Sequence, residues 1–372
     1  MQILLDYRPA LRQRTGVGGY MHEVAQALVA TAPRDERLLL FSSSWKDRLD
    51  SQAVPGAEVL DRRVPVRVLN WAWHRLGWPP IESLTGRRVD VVQSAHPLLL
   101  PSRSAARVAM IHDLDFLDHP ERTTAEIRRD YPRLAARHAR AADQIVVVSR
   151  HTADDVASRF GIPASHISVC VPGAPSWPRR QTDPARGGCL LFIGTLEPRK
   201  NLETLLAAYA RLLADSPDAP PLVLAGRIAA GAQPIVDLAR QAPFAGRVEL
   251  PGYVTEDAKR ALFERALALV MPSHTEGFGL PALEAMVLGV PVIAARSGAL
   301  PETTGGAALL VDASDEHALS HALRSVLADP NLRLRMRTAG WQHAAQFTWA
   351  STAQQIRGAW QLAVAHRTSA RG

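Results

Sequence analysis

The chain has 372 residues, of which 47% are apolar and 21% charged. This composition excludes a disordered or collagen-like protein, and the length predicts two domains. No stretch approaches the roughly 20 consecutive apolar residues that a membrane-spanning helix requires. Residues 1–5 form too short an apolar run for an export signal, so we expect none. The two cysteines, Cys170 and Cys189, have no metal-ligand or redox spacing, which fits a reducing cytosol.

Charge is distributed unevenly along the chain. Residues 1–180 hold 25 Lys+Arg and 19 Asp+Glu, whereas residues 181–372 hold 18 and 17. The basic first half is therefore expected to meet an anionic surface or ligand. Only Lys46, Lys200 and Lys259 among the 43 basic residues are lysine. This bias toward arginine resembles a coding bias, and we expect no nucleic-acid partner.

The first half of the chain alternates between short apolar runs and amphipathic stretches. Fully apolar strands that alternate with helices are typical of a parallel sheet covered on both faces. The pattern predicts strands over residues 3–5, 38–41, 89–92, 108–111 and 145–148, with helices over 19–30 and 122–141.

A stretch rich in Pro, Gly and Arg, residues 171–188, interrupts the alternation and predicts a linker. The alternation then restarts, with strands predicted over 190–193, 222–225, 248–250, 268–271, 292–295 and 308–311, and helices over 201–213, 255–266, 281–288 and 315–328. We therefore predict an α/β chain with two doubly wound domains and the ligand between them. The predicted organisation is a first domain over 1–172, a linker over 173–188, a second domain over 189–347, and a C-terminal helix over 348–372 that could cross back to the first domain.

The densest motif is the run Ser-His-Thr-Glu-Gly-Phe-Gly-Leu-Pro-Ala-Leu-Glu-Ala-Met over residues 273–286, between a predicted strand and a predicted helix. Gly277 and Gly279 allow a ligand close to the backbone, and the helix start directs free N–H groups at it, which favours a phosphate. Glu276 and Glu284 supply acceptors for vicinal hydroxyls. The combination indicates a nucleotide sugar. The alternative is a tight strand–helix turn with two solvated or capping acids.

This motif resembles the Glu-x7-Glu motif of the retaining GT-B glycosyltransferases of family 4, also described as glycosyl transferases group 1. Three further segments resemble that family's motifs in the expected order: the glycine loop over 15–20, the phosphate loop Gly-Thr-Leu-Glu-Pro-Arg-Lys-Asn-Leu over 194–202, and the nucleobase-contacting turn over 250–254. The resemblance implies two Rossmann-like domains facing a central cleft. The details of the motifs are similar to those of the bacterial mannosyltransferase-like branch.

The resemblance also implies residue roles. Lys200 pairs with the donor diphosphate, with Arg199 as a helper. Many relatives have arginine where this chain has Thr195, and two roles of Arg199 stay open: it substitutes for that arginine, or it faces solvent. Glu284 holds the ribose hydroxyls and Glu276 the hydroxyls of the transferred sugar. The remaining donor-binding residues implied by the resemblance are Gly18, Gly194, Thr195, Tyr253, Val254, Gly277, Phe278, Gly279 and Leu280, and the catalytic residues it implies are His112, Lys200 and Glu276.

His112 follows the predicted strand over 108–111, and the resemblance implies that it touches the donor sugar; a structural histidine is the alternative. His96 and Asp113 are acceptor-side candidates. Asp113 and Asp115 also match the Asp-x-Asp metal motif of another glycosyltransferase fold. Because Lys200 and a helix N-terminus already supply positive charge, we expect that match to be accidental. We therefore expect neither a metal nor any other cofactor.

The segment over residues 62–78 combines four Arg with three Trp. Tryptophan favours the membrane interface and arginine favours anionic headgroups, so the segment predicts contact with a membrane or a lipid-linked acceptor. The alternative is a half-buried segment whose tryptophans pack inward. Both remain open at the level of sequence.

Together these features predict a cytoplasmic retaining hexosyltransferase, peripheral on the inner face of the cell membrane, that moves mannose from GDP-mannose to a glycan or lipid-linked saccharide in bacterial surface polysaccharide synthesis. The alternatives are a rhamnosyl- or glucosyltransferase that uses a TDP- or UDP-sugar, and a sugar-nucleotide epimerase or phosphorylase of the same architecture. A non-catalytic sugar-binding protein is a further alternative, although such proteins are normally exported.

Overall fold

A computed structural model describes residues 1–11, 16–123, 125–184, 187–229 and 231–369, apart from the side chains of Arg122 and Glu126. The chain forms two compact units. The first unit consists of Met1–Gly173 and Thr348–Gly372, and the second consists of Ala174–Phe347. The backbone therefore passes from one unit to the other twice.

The first unit is built on a seven-stranded parallel sheet with the strand order β3-β2-β1-β4-β5-β6-β7. Its strands are β1 (Gln2–Asp6), β2 (Arg37–Ser43), β3 (Glu58–Arg62), β4 (Val91–Gln93), β5 (Ala106–Ile111), β6 (Gln144–Val147) and β7 (Ile167–Val169). Its helices are α1 (Val17–Ala30), α2 (Val66–Leu76), α3 (Ile81–Thr85), α4 (Asp115–Asp118), α5 (Ala125–Ala141), α6 (Arg150–Phe160) and α14 (Trp349–Ser369).

The C-terminal helix α14 completes the first unit. Trp360 is fully buried, and its indole N–H donates to the Gln93 side chain at the end of β4. Arg357 on the same helix forms an ion pair with Glu36 at 2.9 Å. Because the tail covers the sheet of residues 1–173, this unit is assembled from both ends of the chain.

The second unit has a six-stranded parallel sheet with the strand order β10-β9-β8-β11-β12-β13. Its strands are β8 (Cys189–Ile193), β9 (Leu222–Ala225), β10 (Val248–Gly252), β11 (Ala266–Met271), β12 (Val292–Ala295) and β13 (Leu309–Val311). Its helices are α7 (Leu202–Asp215), α8 (Gln233–Ala239), α9 (Glu256–Arg265), α10 (Leu280–Leu288), α11 (Leu300–Thr304), α12 (Glu316–Ala328) and α13 (Pro330–Ala344). The strand order reverses beside β8, so the loops after β8 and β11 lie at a switch point where ligands of such sheets bind.

The predicted strands and helices are all present, with boundary shifts of a few residues. The sequence patterns missed β3, whose residues do not form a continuous apolar run. They also missed β7, α2, α3, α4, α8, α11 and α13. In α13, leucine or methionine alternates with arginine over residues 332–337, a period of two that does not indicate a helix.

The segment predicted as a linker packs on the second unit over its described part. The Arg180 guanidinium donates to the backbone carbonyl of Ala266 at 2.6 Å, and the Trp177 ring lies 5.9 Å from the Phe263 ring. Asp183 accepts from Arg333 and Arg337 of α13. These hydrogen bonds and ring contacts hold the segment on the second unit without regular secondary structure, which is why its sequence shows no periodicity.

No helix of the described residues is long and apolar enough to span a membrane.

Candidate active site

Two loops of the second unit bring the predicted phosphate-binding and sugar-binding residues together. One runs from Gly194 to Asn201 after β8, and the other runs from Pro272 to Gly279 after β11. Since β8 and β11 are parallel neighbours, both loops leave the same edge of the sheet.

At this edge the Lys200 ammonium lies 2.6 Å from Oε1 of Glu276, and the Ser273 hydroxyl donates to the same oxygen at 2.7 Å. All three side chains are buried. Burial by itself raises the pKa of Glu276, but the charges of Lys200 and Arg199 and the two hydrogen bonds outweigh it and hold that pKa below its ordinary value. Glu276 is therefore ionised at neutral pH. We refer to Lys200, Glu276 and Ser273 as the Lys200 cluster.

Arg199 borders the Lys200 cluster. Its guanidinium donates to Glu197 at 2.9 Å and lies 3.8 Å from the Glu276 carboxylate. The next residue, Asn201, has a φ of 53°, and its amide donates to the backbone carbonyls of Pro272 and Ala313 at 3.0 and 2.6 Å. Asn201 thus ties the two loops together directly beneath the cluster, and holds Lys200 in place.

Two glycines allow the backbone to pack closely around Glu276. Gly279 has a φ of 96° and immediately precedes α10, and a Cβ on it would lie 2.7 Å from Leu300. A Cβ on Gly298 would lie 2.6 Å from the backbone nitrogen of Glu276. The first N–H groups of α10 have no partner within the helix, and Pro281 occupies its first turn. This end of the helix therefore favours an anion.

The second glutamate of the motif, Glu284, lies on α10 and is paired with Lys259 of α9. The Lys259 ammonium is 2.6 Å from Oε1 of Glu284 and 3.0 Å from Oε2 of Glu256. Burial by itself lowers the pKa of Lys259, but the nearby carboxylates outweigh it and raise that pKa. Both acids of the Glu-x7-Glu motif therefore carry a lysine partner.

The other predicted donor-binding residues surround these pairs in the second unit. Tyr253 and Val254 follow β10, and the Tyr253 ring is 47% exposed. Gly194 and Thr195 follow β8 and are half-buried. Gly277 and Phe278 are buried, the carbonyl of Phe278 accepts a hydrogen bond from Thr303, and Leu280 begins α10.

His112 lies at the carboxyl end of β5 in the first unit. Its ring packs edge-on against Tyr20 with the centroids 5.4 Å apart, and burial lowers its pKa, so it is neutral at pH 7. Within the described part of the chain, its buried Nε2 atom has no hydrogen-bond partner. Gly18 lies in the first turn of α1, whereas Thr15 of the predicted glycine loop lies outside the described residues.

His96 belongs to a charged cluster at the carboxyl ends of β1 and β4. Its Nε2 lies 3.7 Å from the fully buried Asp6 carboxylate, which Arg8 also pairs with at 2.8 Å. Burial is the main cause that lowers the pKa of His96 to about 4. Asp113 accepts from the backbone N–H of Asp115 at 3.2 Å. The described residues contain no group of three or more His, Cys, Asp or Glu side chains placed to hold a metal ion.

The segment over 62–78 divides into inward and outward residues. Arg62 points inward and donates to the carbonyls of Leu84 and Thr85, and Trp73 is buried with its N–H on the carbonyl of Pro79. Of the four arginines of the segment, Arg63, Arg67 and Arg75 are exposed, whereas Arg62 holds α3. Within this segment, the large apolar residues exposed over more than half of their surface are Val68, Trp71, Leu76 and Trp78.

Comparison with known proteins decides the family. Residues 176–343 match the family described as glycosyl transferases group 1, and residues 14–175 match glycosyltransferase family 4. The chain belongs to the family 4 glycosyltransferases.

The chain is 29% identical to O-antigen chain mannosyltransferase B from Escherichia coli, over 97% of this chain and 100% of that protein. It is 30% identical to a glycogen synthase from Mycobacterium tuberculosis, over 72% of this chain and 67% of that enzyme. It is 31% identical to a D-inositol 3-phosphate glycosyltransferase from Corynebacterium diphtheriae, over 58% of this chain and 55% of that enzyme. The chain is accordingly a glycosyltransferase.

Solved structures show the same fold at lower identity. A sucrose-phosphate synthase from Thermosynechococcus elongatus superimposes with a TM-score of 0.74 at 20% identity, covering 97% of this chain and 98% of that one. WaaG, a glycosyltransferase involved in lipopolysaccharide biosynthesis, superimposes with a TM-score of 0.71 at 15% identity, covering 96% and 98%. The two parallel α/β units are thus those of a GT-B fold.

The sequence analysis assigned no role in the site to three residues: Ser273, Lys259 and Gly298. Ser273 and Gly298 have types and spacings common in any strand–helix loop, so no local pattern distinguishes them. Lys259 carried a signal that was not used, namely that lysine is rare in this chain.

Proposed function

We propose that this glycosyltransferase transfers mannose from GDP-mannose to a glycan or lipid-linked saccharide acceptor, with retention of the anomeric configuration. The observation that carries the proposal is the buried Lys200 cluster, with Arg199 beside it and the start of α10 next to Glu276, because an ammonium, a guanidinium and free N–H groups are the donors that a diphosphate requires. The choice of mannose follows from the relative in Escherichia coli, which is named an O-antigen chain mannosyltransferase. Its name also favours a role in bacterial surface polysaccharide synthesis.

The chemistry of this site is electrostatic. As the bond between the sugar and the diphosphate breaks, negative charge grows on the departing phosphate and positive charge on the sugar ring. The phosphate is stabilised by Lys200, Arg199 and the N–H groups at the start of α10. The Glu276 carboxylate accepts hydrogen bonds from hydroxyl groups of the sugar. We assign no covalent nucleophile. The acceptor hydroxyl attacks the same face of the sugar and gives its proton to the leaving phosphate as the bond between sugar and diphosphate breaks.

The cationic residues make a divalent metal unnecessary in this proposal. In a metal-dependent site the ion neutralises the departing phosphates, and carboxylates hold the ion. Here the acidic side chain nearest Lys200, Glu276, is already occupied by the ammonium at 2.6 Å. We therefore propose a reaction that proceeds without metal.

The exposed face of α2 supports contact with an anionic membrane surface. Trp71 and Trp78 are 59% and 60% exposed. A cavity of about 430 Å³ opens between α2 and the start of α5, and its lining includes Arg67, Arg75 and Arg129. Tryptophans beside guanidinium groups match the interface between acyl chains and phosphate headgroups. We propose that the protein works in the cytoplasm, bound peripherally to the inner face of the membrane.

The donor is tested by thermal shift with GDP, UDP, ADP and TDP, because a ligand that binds the folded state raises Tm. GDP is expected to give the largest shift, and incubation of GDP-mannose with saccharide acceptors is expected to yield an α-linked product by NMR. A larger shift with UDP or TDP would favour the glucosyl or rhamnosyl alternative. Donor rearrangement or phosphorolysis that needs no saccharide acceptor would favour the epimerase or phosphorylase alternative and contradict transfer.

A further inference from the structure

The three lysines of this chain are placed unevenly. Lys46 is exposed in the first unit. Lys200 and Lys259 lie in the second unit, and each places its ammonium 2.6 Å from one glutamate of the Glu-x7-Glu motif. Arginine supplies the other basic side chains of the protein. Both lysines of the second unit therefore lie where a compact cation contacts a carboxylate of the candidate site.

The Lys259–Glu284 pair is well shielded from solvent. The two side chains are 15% and 14% exposed, whereas Glu256, the second partner of Lys259, is 62% exposed. The Trp177 ring lies 5.4 Å from the ammonium. An ion pair in such a setting is screened less by salt than one at the surface, and it fixes both the charge and the direction of the Glu284 carboxylate.

We propose that Lys259 is a positioning residue for the ribose of the donor nucleotide: it holds the Glu284 carboxylate in the direction that accepts hydrogen bonds from the ribose hydroxyls. This inference rests on the proposed function, since Glu284 is its ribose ligand. The bond from Lys259 takes one of the about four acceptor positions of a carboxylate.

The geometry also explains the use of lysine in a chain so rich in arginine. The ammonium reaches Glu284 on α10 and Glu256 on its own helix from one atom. A guanidinium is planar and wider, and it prefers two parallel contacts to one carboxylate, so it would change the direction of Glu284. We therefore expect Lys259→Arg to retain the charge and lose part of the positioning.

The test compares GDP with 2′,3′-dideoxy-GDP by calorimetry, on the full-length protein. We expect the wild type to bind GDP at least tenfold more tightly. Lys259→Met is expected to weaken GDP binding about tenfold and to leave the dideoxy analogue within twofold, because only the ribose contact depends on Lys259. In the transfer reaction the donor KM is expected to rise about tenfold, with kcat within threefold. Lys46→Met is the matched control and should bind both nucleotides like the wild type.

A double variant separates positioning from a merely structural role. If Lys259 acts through Glu284, adding Glu284→Gln to Lys259→Met should cost less than threefold more in GDP binding. Lys259→Gln provides the same comparison if Lys259→Met folds poorly. An equal loss of GDP and dideoxy-GDP binding would overturn the inference, as would additive losses in the double variant. A wild type that binds no nucleoside diphosphate would instead contradict the proposed function.

Discussion

The carboxylates Glu276 and Glu284 have the same residue type and comparable lysine partners, yet they differ in surroundings. Glu276 is buried within the Lys200 cluster, where charge develops during transfer. Glu284 lies one turn into α10 beside α9. Their substitution should therefore affect different steps of the reaction.

We expect Glu284→Gln to raise the donor KM about tenfold or more, because the ribose hydroxyls lose a charged acceptor worth about 1.5–3 kcal/mol. Glu276→Ala should instead lower kcat. Lys200→Met should lower kcat by a factor of about 10²–10³, since a stabiliser of the leaving phosphate is lost. Steady-state kinetics with Lys46→Met as the control checks all three. Wild-type kinetics for both glutamate variants with every donor would disprove the assignment of the motif.

The cluster around His96 predicts a pH effect on stability. The folded pKa of about 4 lies below the ordinary value of 6.5, so the unfolded chain takes up the proton first as the pH falls. The contribution of His96 to the free energy of unfolding is then fully present above about pH 6.5. It decreases as the pH falls toward 4, by about 2–3 kcal/mol for this one group. Chemical unfolding of wild type and His96→Gln at pH 7 and pH 4.5 measures the difference. An equal loss of stability in both proteins would contradict the assignment.

Helix α2 is the element whose interpretation differs most between the sequence analysis and the structure, because the sequence patterns predicted no helix there. Its buried residues are Leu69, Trp73 and His74, and its outward residues include Arg67, Trp71 and Arg75. The segment is therefore both a packed helix and an exposed basic, aromatic surface. The alternative of tryptophans that pack inward is confirmed for Trp73, and contact of the exposed face with a membrane stays a prediction.

We expect the protein to bind anionic vesicles reversibly, and less strongly at high salt. Substitution of Arg63, Arg67 and Arg75 by Ser should reduce co-sedimentation, because each cation near the surface contributes about 1 kcal/mol and is screened over about 10 Å at 0.1 M salt. Arg62 is left intact because it holds α3 through backbone carbonyls. A triple variant of the exposed Arg34, Arg37 and Arg88 removes the same charge elsewhere. Equal pelleting of both triple variants and the wild type would contradict the proposal.

Helix α14 should stabilise the first unit specifically. Trp360 is fully buried and bonded to Gln93, so Trp360→Ala is expected to cost about 3–5 kcal/mol. Leu362 on the same helix is 44% exposed, and Leu362→Ala is the control. Hydrogen exchange should show faster exchange in β4 and β6 and unchanged exchange in β8 and β11. Loss of protection in the second unit as well would contradict this division of the chain.

For the whole molecule, we expect transfer without a divalent ion. The cations available to the donor phosphates are Lys200 and Arg199, and the described residues hold no cluster of three metal-ligating side chains. Activity in excess EDTA should equal activity with Mg²⁺ or Mn²⁺, and Asp115→Asn should remain within several-fold of wild type. His112→Ala should be severely impaired. If EDTA abolishes activity and either ion restores it, and Asp115→Asn is inactive, the proposal that Lys200 and Arg199 stabilise the donor phosphates without a metal ion would be contradicted.

The sequence alone determined the class of fold and the family, because both follow from local signals: continuous apolar strands between helices, and motifs that recur in a set order. It also predicted Lys200, Glu276 and Glu284, since each lies in a short motif. Only the tertiary structure decided which side chains those residues meet. Lys259 and Glu284 are 25 positions apart, and Lys200 and Glu276 are 76 positions apart, so their pairing depends on the packing of neighbouring strands and helices. The same holds for Trp73, whose inward orientation is set by the buried face of α2, and for Arg62 at the end of β3, which donates to carbonyls of α3.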